Sequence, residues 1–295
     1  LRTLQDLEED GYEVTYLKPD QKGQITPEQL EEAIREDTIL VTIMLANNVV
    51  GTILDIPALA AAARKKRVLF HTDAVQAVGH IPLNVRKLGV DFLSVSAHKF
   101  NGPKGVGVLF SRIPLRLKPL LAGGGQEKGY RSGTENIPGI VGMTTALEEH
   151  IAGMMERMEH LQSMRDRLTE AVLQIPGVYQ TGDPEKRLPG FCSFVVEQVP
   201  HSVLLVNKLN EQGICASSGS ACSAASREAS HVLLALGYSK ELASASLRVT
   251  LGEENTEEEV DIAIAAIRSA IEQVRSEQVS RAPRLEGRVT EIKEN

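Results

Sequence analysis

Apolar positions along the chain fall into short runs separated by helical stretches. Residues 13–17 read as a strand, and Thr26-Pro27-Glu28-Gln29 is a capping box with proline at the first helical position, predicting a helix to residue 35. The run 38–46, rich in Ile, Val and Leu, predicts a strand, 57–66 a helix, and 67–72, 91–96 and 106–110 three further strands. Strands with so few alternating polar positions, interleaved with helices, predict a mostly parallel sheet covered on both faces. One long amphipathic helix over 140–175 ends at Pro176-Gly177. Beyond it the pattern predicts a strand at 190–199, helices at 202–211 and 228–236, a strand at 247–251, and a helix capped by Thr256 with Glu259. The expected fold class is therefore α/β: a large domain over 1–155 on a mostly parallel sheet, then a smaller α+β domain over 156–295. Residues 276–295 are charged and poor in large apolar side chains, so partial disorder is expected there.

Composition narrows the class. The 295 residues are 42% hydrophobic and 24% charged, which suits a globular chain. A net charge of −7 makes nucleic acid a poor main ligand. No apolar run approaches the roughly 18 residues that span a bilayer, so a membrane partner is not expected. Cys192, Cys215 and Cys222 are an odd number with no CxxC pair, which points to thiols in a reducing compartment, a cytoplasm or an organelle matrix. With seven scattered histidines they show no ligand spacing, and no metal site is expected. The chain begins at Leu1 in a charged helical stretch and is expected to start inside a longer protein.

Ligands of parallel sheets sit beyond the carboxyl ends of the strands, where this chain carries Asn48, Asp73 and the group 96–99. A lysine at such a place, Lys99, can be desolvated into a nucleophile toward an aldehyde, as in a Schiff base with pyridoxal phosphate. Asp73 is a carboxylate suited to a protonated pyridine nitrogen, and Gln76 follows three residues later, within reach of a ring hydroxyl. The plainer readings are a solvated lysine and a helix N-cap; both residues at strand ends together argue against two coincidences. Arg248 offers a planar fork that fits a carboxylate, or a surface ion pair. Cys222 lies in 217–226, whose nine other residues are all Ser, Ala or Gly. That segment is expected to be exposed and mobile, as a sulfur-carrying nucleophile requires. Cys192 and Cys215 sit in apolar strand-like runs and are expected to be core cysteines.

Seven motifs, in order, carry a resemblance: Leu45-Ala46-Asn47-Asn48, His71-Thr72-Asp73-Ala74-Val75-Gln76, Ser96-Ala97-His98-Lys99, Gly123-Gly124-Gly125-Gln126-Glu127, Arg131-Ser132-Gly133-Thr134-Glu135-Asn136, Ser217-Ser218-Gly219-Ser220-Ala221-Cys222 and Leu247-Arg248. Over nearly its whole length the chain resembles the cysteine desulfurases of iron–sulfur cluster assembly and nitrogen fixation, with the aspartate-aminotransferase-like fold of pyridoxal phosphate enzymes. The resemblance implies that Lys99 holds the cofactor, Asp73 faces its ring nitrogen, Gln76 its ring oxygen, and Ser96 and His98 its phosphate. It implies that Thr134 reaches the phosphate of a neighbouring subunit in a homodimer. Asn48, also beside the cofactor, and Arg248 hold the substrate carboxylate in that scheme, while Cys222 takes the sulfur of L-cysteine as a persulfide, releasing L-alanine. A sulfur-acceptor protein such as a cluster scaffold then collects it. The resemblance starts after the family's amino-terminal segment, with its phosphate-binding turn and ring-stacking histidine. Val49 stands where the family typically has an acidic residue. The alternatives are a selenocysteine lyase, or a non-catalytic fragment that keeps dimer and partner surfaces.

Overall fold

The computed structural model describes residues 2–114, 118–219 and 229–281. Two sheets organise it. The first has the strands β1 (Leu40–Thr42), β2 (Leu69–Asp73), β3 (Phe92–Ser96) and β4 (Gly107–Ser111) in that spatial order. The first two pairings are parallel, with Leu40 beside Leu69 and Asp73 beside Ser94; β4 returns antiparallel to β3. Pairing to β2 continues past β1 through Ile43 N–H to His71 O (3.1 Å) and Leu45 N–H to Asp73 O (2.8 Å).

The connecting helices start where capping chemistry places them. Helix α1 spans Arg2–Glu9 and α2 spans Pro27–Ala33, whose N-cap Thr26 Oγ1 accepts from Gln29 N–H. Only half of that capping box closes, because the Gln29 amide donates to Lys18 O at 2.6 Å instead of turning back. Asp55 caps α3 (Ile56–Lys65), and Asn84 caps the short α4 (Val85–Leu88). Helices α2 and α3 enclose the larger core on one face of the sheet, with Ile56, Leu59, Phe70 and Leu93 almost wholly buried.

The other face is open, which corrects the expectation of two covered faces: Leu40, Leu69 and Leu109 remain 45%, 38% and 51% exposed. Among the described residues the alternation missing from the residue types reappears as burial, with Phe70 and Thr72 in and Leu69 and Asp73 out. The strand expected at 13–17 does not form either; that stretch is held by side chains, Arg35 reaching Glu13 (3.0 Å) and Thr15 (3.3 Å).

The long helix expected over 140–175 is two helices, α5 (Ile137–Ala152) and α6 (Met154–Leu173), interrupted at Gly153. Glycine is a weak helix former, and Arg157 of α6 reaches back across the break to donate to the His150 carbonyl. The second sheet is antiparallel: β5 (Val178–Gln180), β6 (Phe191–Val196) and β7 (Ser246–Thr250). It packs on α6, α7 (Ser202–Asn210) and α10 (Glu257–Arg281) around Leu168, Phe194, Leu247 and Ile267. Two short helices, α8 (His231–Ala235) and α9 (Lys240–Ser244), complete it. The helix α10 runs into the stretch expected to be disordered, as far as Arg281; 282–295 lie outside the described residues. No helix among the described residues is long and apolar enough to cross a membrane.

Candidate active site

The carboxyl edge of the first sheet gathers the chemistry. Register places Asp73, Ser94 and Ser96 on the same, open face. Asp73 is exposed, and its Oδ1 accepts from Val75 N–H at 2.9 Å, closing a turn after the strand in which Gln76 is half-buried. Immediately after Ser96 the chain makes a single 3-10 turn, Ala97–Phe100, anchored by the fully buried Ala97 and Phe100. The turn presents exposed His98 and half-buried Lys99. Ser96 Oγ and His98 Nδ1 lie 2.8 Å apart, so hydroxyl and imidazole form a unit.

Two histidines that the sequence reading passed over support this edge. His71, on the open face, lies between Thr42 Oγ1 (2.7 Å at Nδ1) and Ser94 Oγ (2.9 Å at Nε2), and burial lowers its pKa while nearby Asp73 partly opposes the shift. His80 Nε2 donates to the main-chain carbonyl of Lys99 at 2.6 Å, which fixes the tautomer because that oxygen can only accept. Burial pushes the His80 pKa down, with the hydrogen bond to the Lys99 carbonyl partly opposing the shift. His80 packs edge-on to His150, and His150 on Phe100. Next to it a cavity of about 250 Å³ is lined by Asn101, Ala146, Glu149, His150, Arg157 and Glu253. No residue type signals the His80 contact, because it joins a side chain to a backbone atom 19 positions away.

Asn48 stands at the tip of a tight turn. Asn47 Oδ1 accepts from both Val49 N–H (2.8 Å) and Val50 N–H (3.0 Å), and Ala46 bridges Ile53. Val49 and Val50 are 3% and 1% exposed and pack with Val195, Leu233, Leu236 and Ala243, so the departure at Val49 serves a core contact. Asn48 itself is exposed, and its carbonyl accepts from Arg248 Nη1 at 2.6 Å. Arg248 extends from β7, its Nε buried without a hydrogen-bond partner and its pKa lowered by burial. Among the described residues no carboxylate pairs with it. A guanidinium partly withdrawn from water without a counter-charge is costly unless an anion binds.

The remaining expected residues divide. Thr134 is exposed in the turn before α5, a turn closed by Gln126 Oε1 on Gly133 N–H (3.1 Å); Asn136 of the same motif is the N-cap of α5. Cys192 is fully buried, and burial pushes its thiol up to about 11. Cys215 is exposed, which corrects its assignment to the core: it stands in irregular backbone between the turn at 211–213 and the isolated bridge of Ser217 to Arg248, outside the sheet ladder. Cys222 lies outside the described residues. Among the described residues no cluster of three or more His, Cys, Asp or Glu side chains could hold a metal ion.

Residues 1–262 match the aminotransferase class-V family. A cysteine desulfurase IscS from Methanosarcina thermophila is 45% identical over 276 residues, covering 94% of this chain and 68% of the relative. One from Aeromonas salmonicida is 46% identical over 277 residues, covering 93% and 68%. A solved NifS-like protein superposes with a TM-score of 0.84 at 38% identity, over 92% of this chain and 72% of that one.

Proposed function

The chain belongs to the aminotransferase class-V family and, within it, to the pyridoxal phosphate-dependent cysteine desulfurases, and on that footing we propose that Lys99 holds the cofactor, Asp73 faces its ring nitrogen and Gln76 its ring oxygen. The donor set suits the group: an amine, a carboxylate and the Ser96–His98 pair for a phosphate lie along one sheet edge. When bound, pyridoxal phosphate supplies an electron sink for the substrate's alpha carbon.

Arg248 binds the substrate carboxylate, whose charge answers the buried, unpaired Nε, and Asn48 lies beside both the carboxylate and the cofactor. The Lys99 amine, at the same sheet edge, would take the alpha proton of the substrate and later return it. The Cys222 thiolate would attack the sulfur of L-cysteine; a sulfur–sulfur bond forms as the carbon–sulfur bond breaks, the bonding pair stays with the beta carbon, and one proton there together with return of the alpha proton gives L-alanine. The persulfide on Cys222 passes to an acceptor, in our reading a scaffold for iron–sulfur clusters. Exposed Thr134 reaches the cofactor phosphate of a second copy, so the working unit is a homodimer. In our reading the chain divides into domains 1–155 and 156–295, a division supported by the helix break at Gly153. A free thiol as sulfur carrier calls for a reducing compartment, the cytoplasm in our reading. Relatives named cysteine desulfurase favour this reading over a selenocysteine lyase.

The observation that carries the residue assignments is the meeting of Lys99, Asp73 and Ser96–His98 at one strand-end edge. The test is the absorbance of the purified chain with pyridoxal phosphate before and after borohydride. A reducible band that Lys99→Ala abolishes is expected; a band that survives the substitution sinks the assignment of Lys99.

A further inference from the structure

Arg248 is held by more than Asn48. On the second sheet, Ser193 of β6 lies directly opposite Arg248 of β7, and Phe191 opposite Thr250. Phe191 is thus the diagonal neighbour of Arg248 on the same face, a separation that an aromatic ring and a long side chain bridge. The Arg248 Cζ stands 5.8 Å from the centroid of the Phe191 ring, within cation–π distance. The same ring also meets the turn carrying Asn48. A Cβ placed on Gly51, whose φ is +78°, would come within 2.8 Å of Phe191 Cβ, so backbone and ring are in direct contact there. The turn is tied down by Leu188 N–H on Gly51 O at 2.9 Å, three residues before Phe191.

We propose that Phe191 is a positioning residue for the carboxylate grip, one buried ring setting both the guanidinium of Arg248 and the turn that presents Asn48. The inference rests on the reading of Arg248 as the carboxylate ligand. In the fold the guanidinium has one neutral acceptor, Asn48 O, and no described carboxylate. The negative π face of Phe191 is the remaining electrostatic partner that keeps this cation in its place until substrate arrives. An aliphatic side chain at 191 fills the volume without supplying that partner, and Arg248 then samples other rotamers. Binding is weakened, whereas the proton and sulfur transfers at Lys99 and Cys222 are left as they were.

The experiment uses the pyridoxal phosphate-loaded chain and measures KM and kcat for L-cysteine, together with the Kd of L-alanine read from cofactor absorbance. Phe191→Leu is expected to raise KM and Kd roughly five- to tenfold, with kcat within about twofold and the cofactor band unchanged; Phe191→Tyr, which keeps the π face, stays within about twofold of the parent. In an Arg248→Ala background the Phe191→Leu effect on the L-alanine Kd falls below about twofold, as coupled residues require. An unchanged Kd in Phe191→Leu, or an equal loss with and without Arg248, overturns the proposal. Phe191→Met is the second aliphatic variant; if both it and the Leu variant lose cooperative unfolding, the ring belongs to the core alone and the proposal falls. The two readings fail separately: an Arg248→Ala variant that binds L-alanine normally refutes the carboxylate assignment. A normal Phe191→Leu beside a weakened Arg248→Ala refutes only the role of Phe191.

Discussion

The thiols of this chain show how much a residue's surroundings decide. Cys192, fully buried with its thiol pushed up to about 11, is inert at neutral pH, and Cys215 is exposed. On our reading only Cys222 reacts with substrate sulfur. Cys222→Ala is therefore expected to stop sulfide release from L-cysteine by at least about a hundredfold while the cofactor band persists; Cys215→Ala leaves turnover intact, as a side-by-side sulfide assay will show. His80 gives a prediction in pH. Its folded pKa lies below the ordinary 6.5 because of burial. The unfolded chain therefore binds its proton first as pH falls, and stability, full above 6.5, declines as pH drops through the folded value. Thermal melts between pH 7.5 and 5 should show that decline, and His80→Gln should flatten it; an identical slope in the variant removes His80 as the cause.

The two helix caps read from the sequence, Thr26 and Thr256, both form, and further helices start at side-chain caps. Thr26, Asp55, Asn84 and Asn136 each cap a helix through their side chains. At α10 both halves of the box close: Thr256 Oγ1 accepts from Glu259 N–H and the Glu259 carboxylate from Thr256 N–H, both at 3.2 Å. Thr256→Ala is expected to cost about 1 kcal/mol, a shift in the urea midpoint without a change of slope. Less legible was the break between α5 and α6, since amphipathic spacing runs through Gly153 and the turn forms around contacts made elsewhere. Arg157 spans it, joining the His150 carbonyl to Glu253 (3.1 Å) beyond β7. A strand at 13–17 was read from residue types alone, yet strands need a partner edge, and Arg35 holds that stretch by its side chains instead.

At the scale of the molecule the first sheet is two-faced. Phe70 is 1% exposed and its chain neighbour Leu69 38%. Phe70→Ala is expected to destabilise by about 3–5 kcal/mol, whereas Leu109→Lys, on the open face, should change stability by less than about 0.5 kcal/mol. The second variant should also reduce binding of a hydrophobic dye, since contiguous exposed apolar surface attracts such probes; equal losses of stability would show both faces to be covered in solution. The two sheets meet where Asn48 and Arg248 touch, 200 positions apart in sequence.

The sequence by itself determined what depends on neighbours along the chain: strand and helix periods, the caps, and the ordered motifs that identify the family and mark Lys99, Asp73, Asn48 and Arg248. Tertiary structure alone decided which face of the first sheet is covered, that Cys215 lies outside the core, that Val49 is a core contact, that His80 holds the Lys99 carbonyl, and that Phe191 lies against Arg248. These outcomes come from contacts between distant segments, whose energies depend on burial and on the distance between groups, and neither quantity exists until the chain has closed on itself.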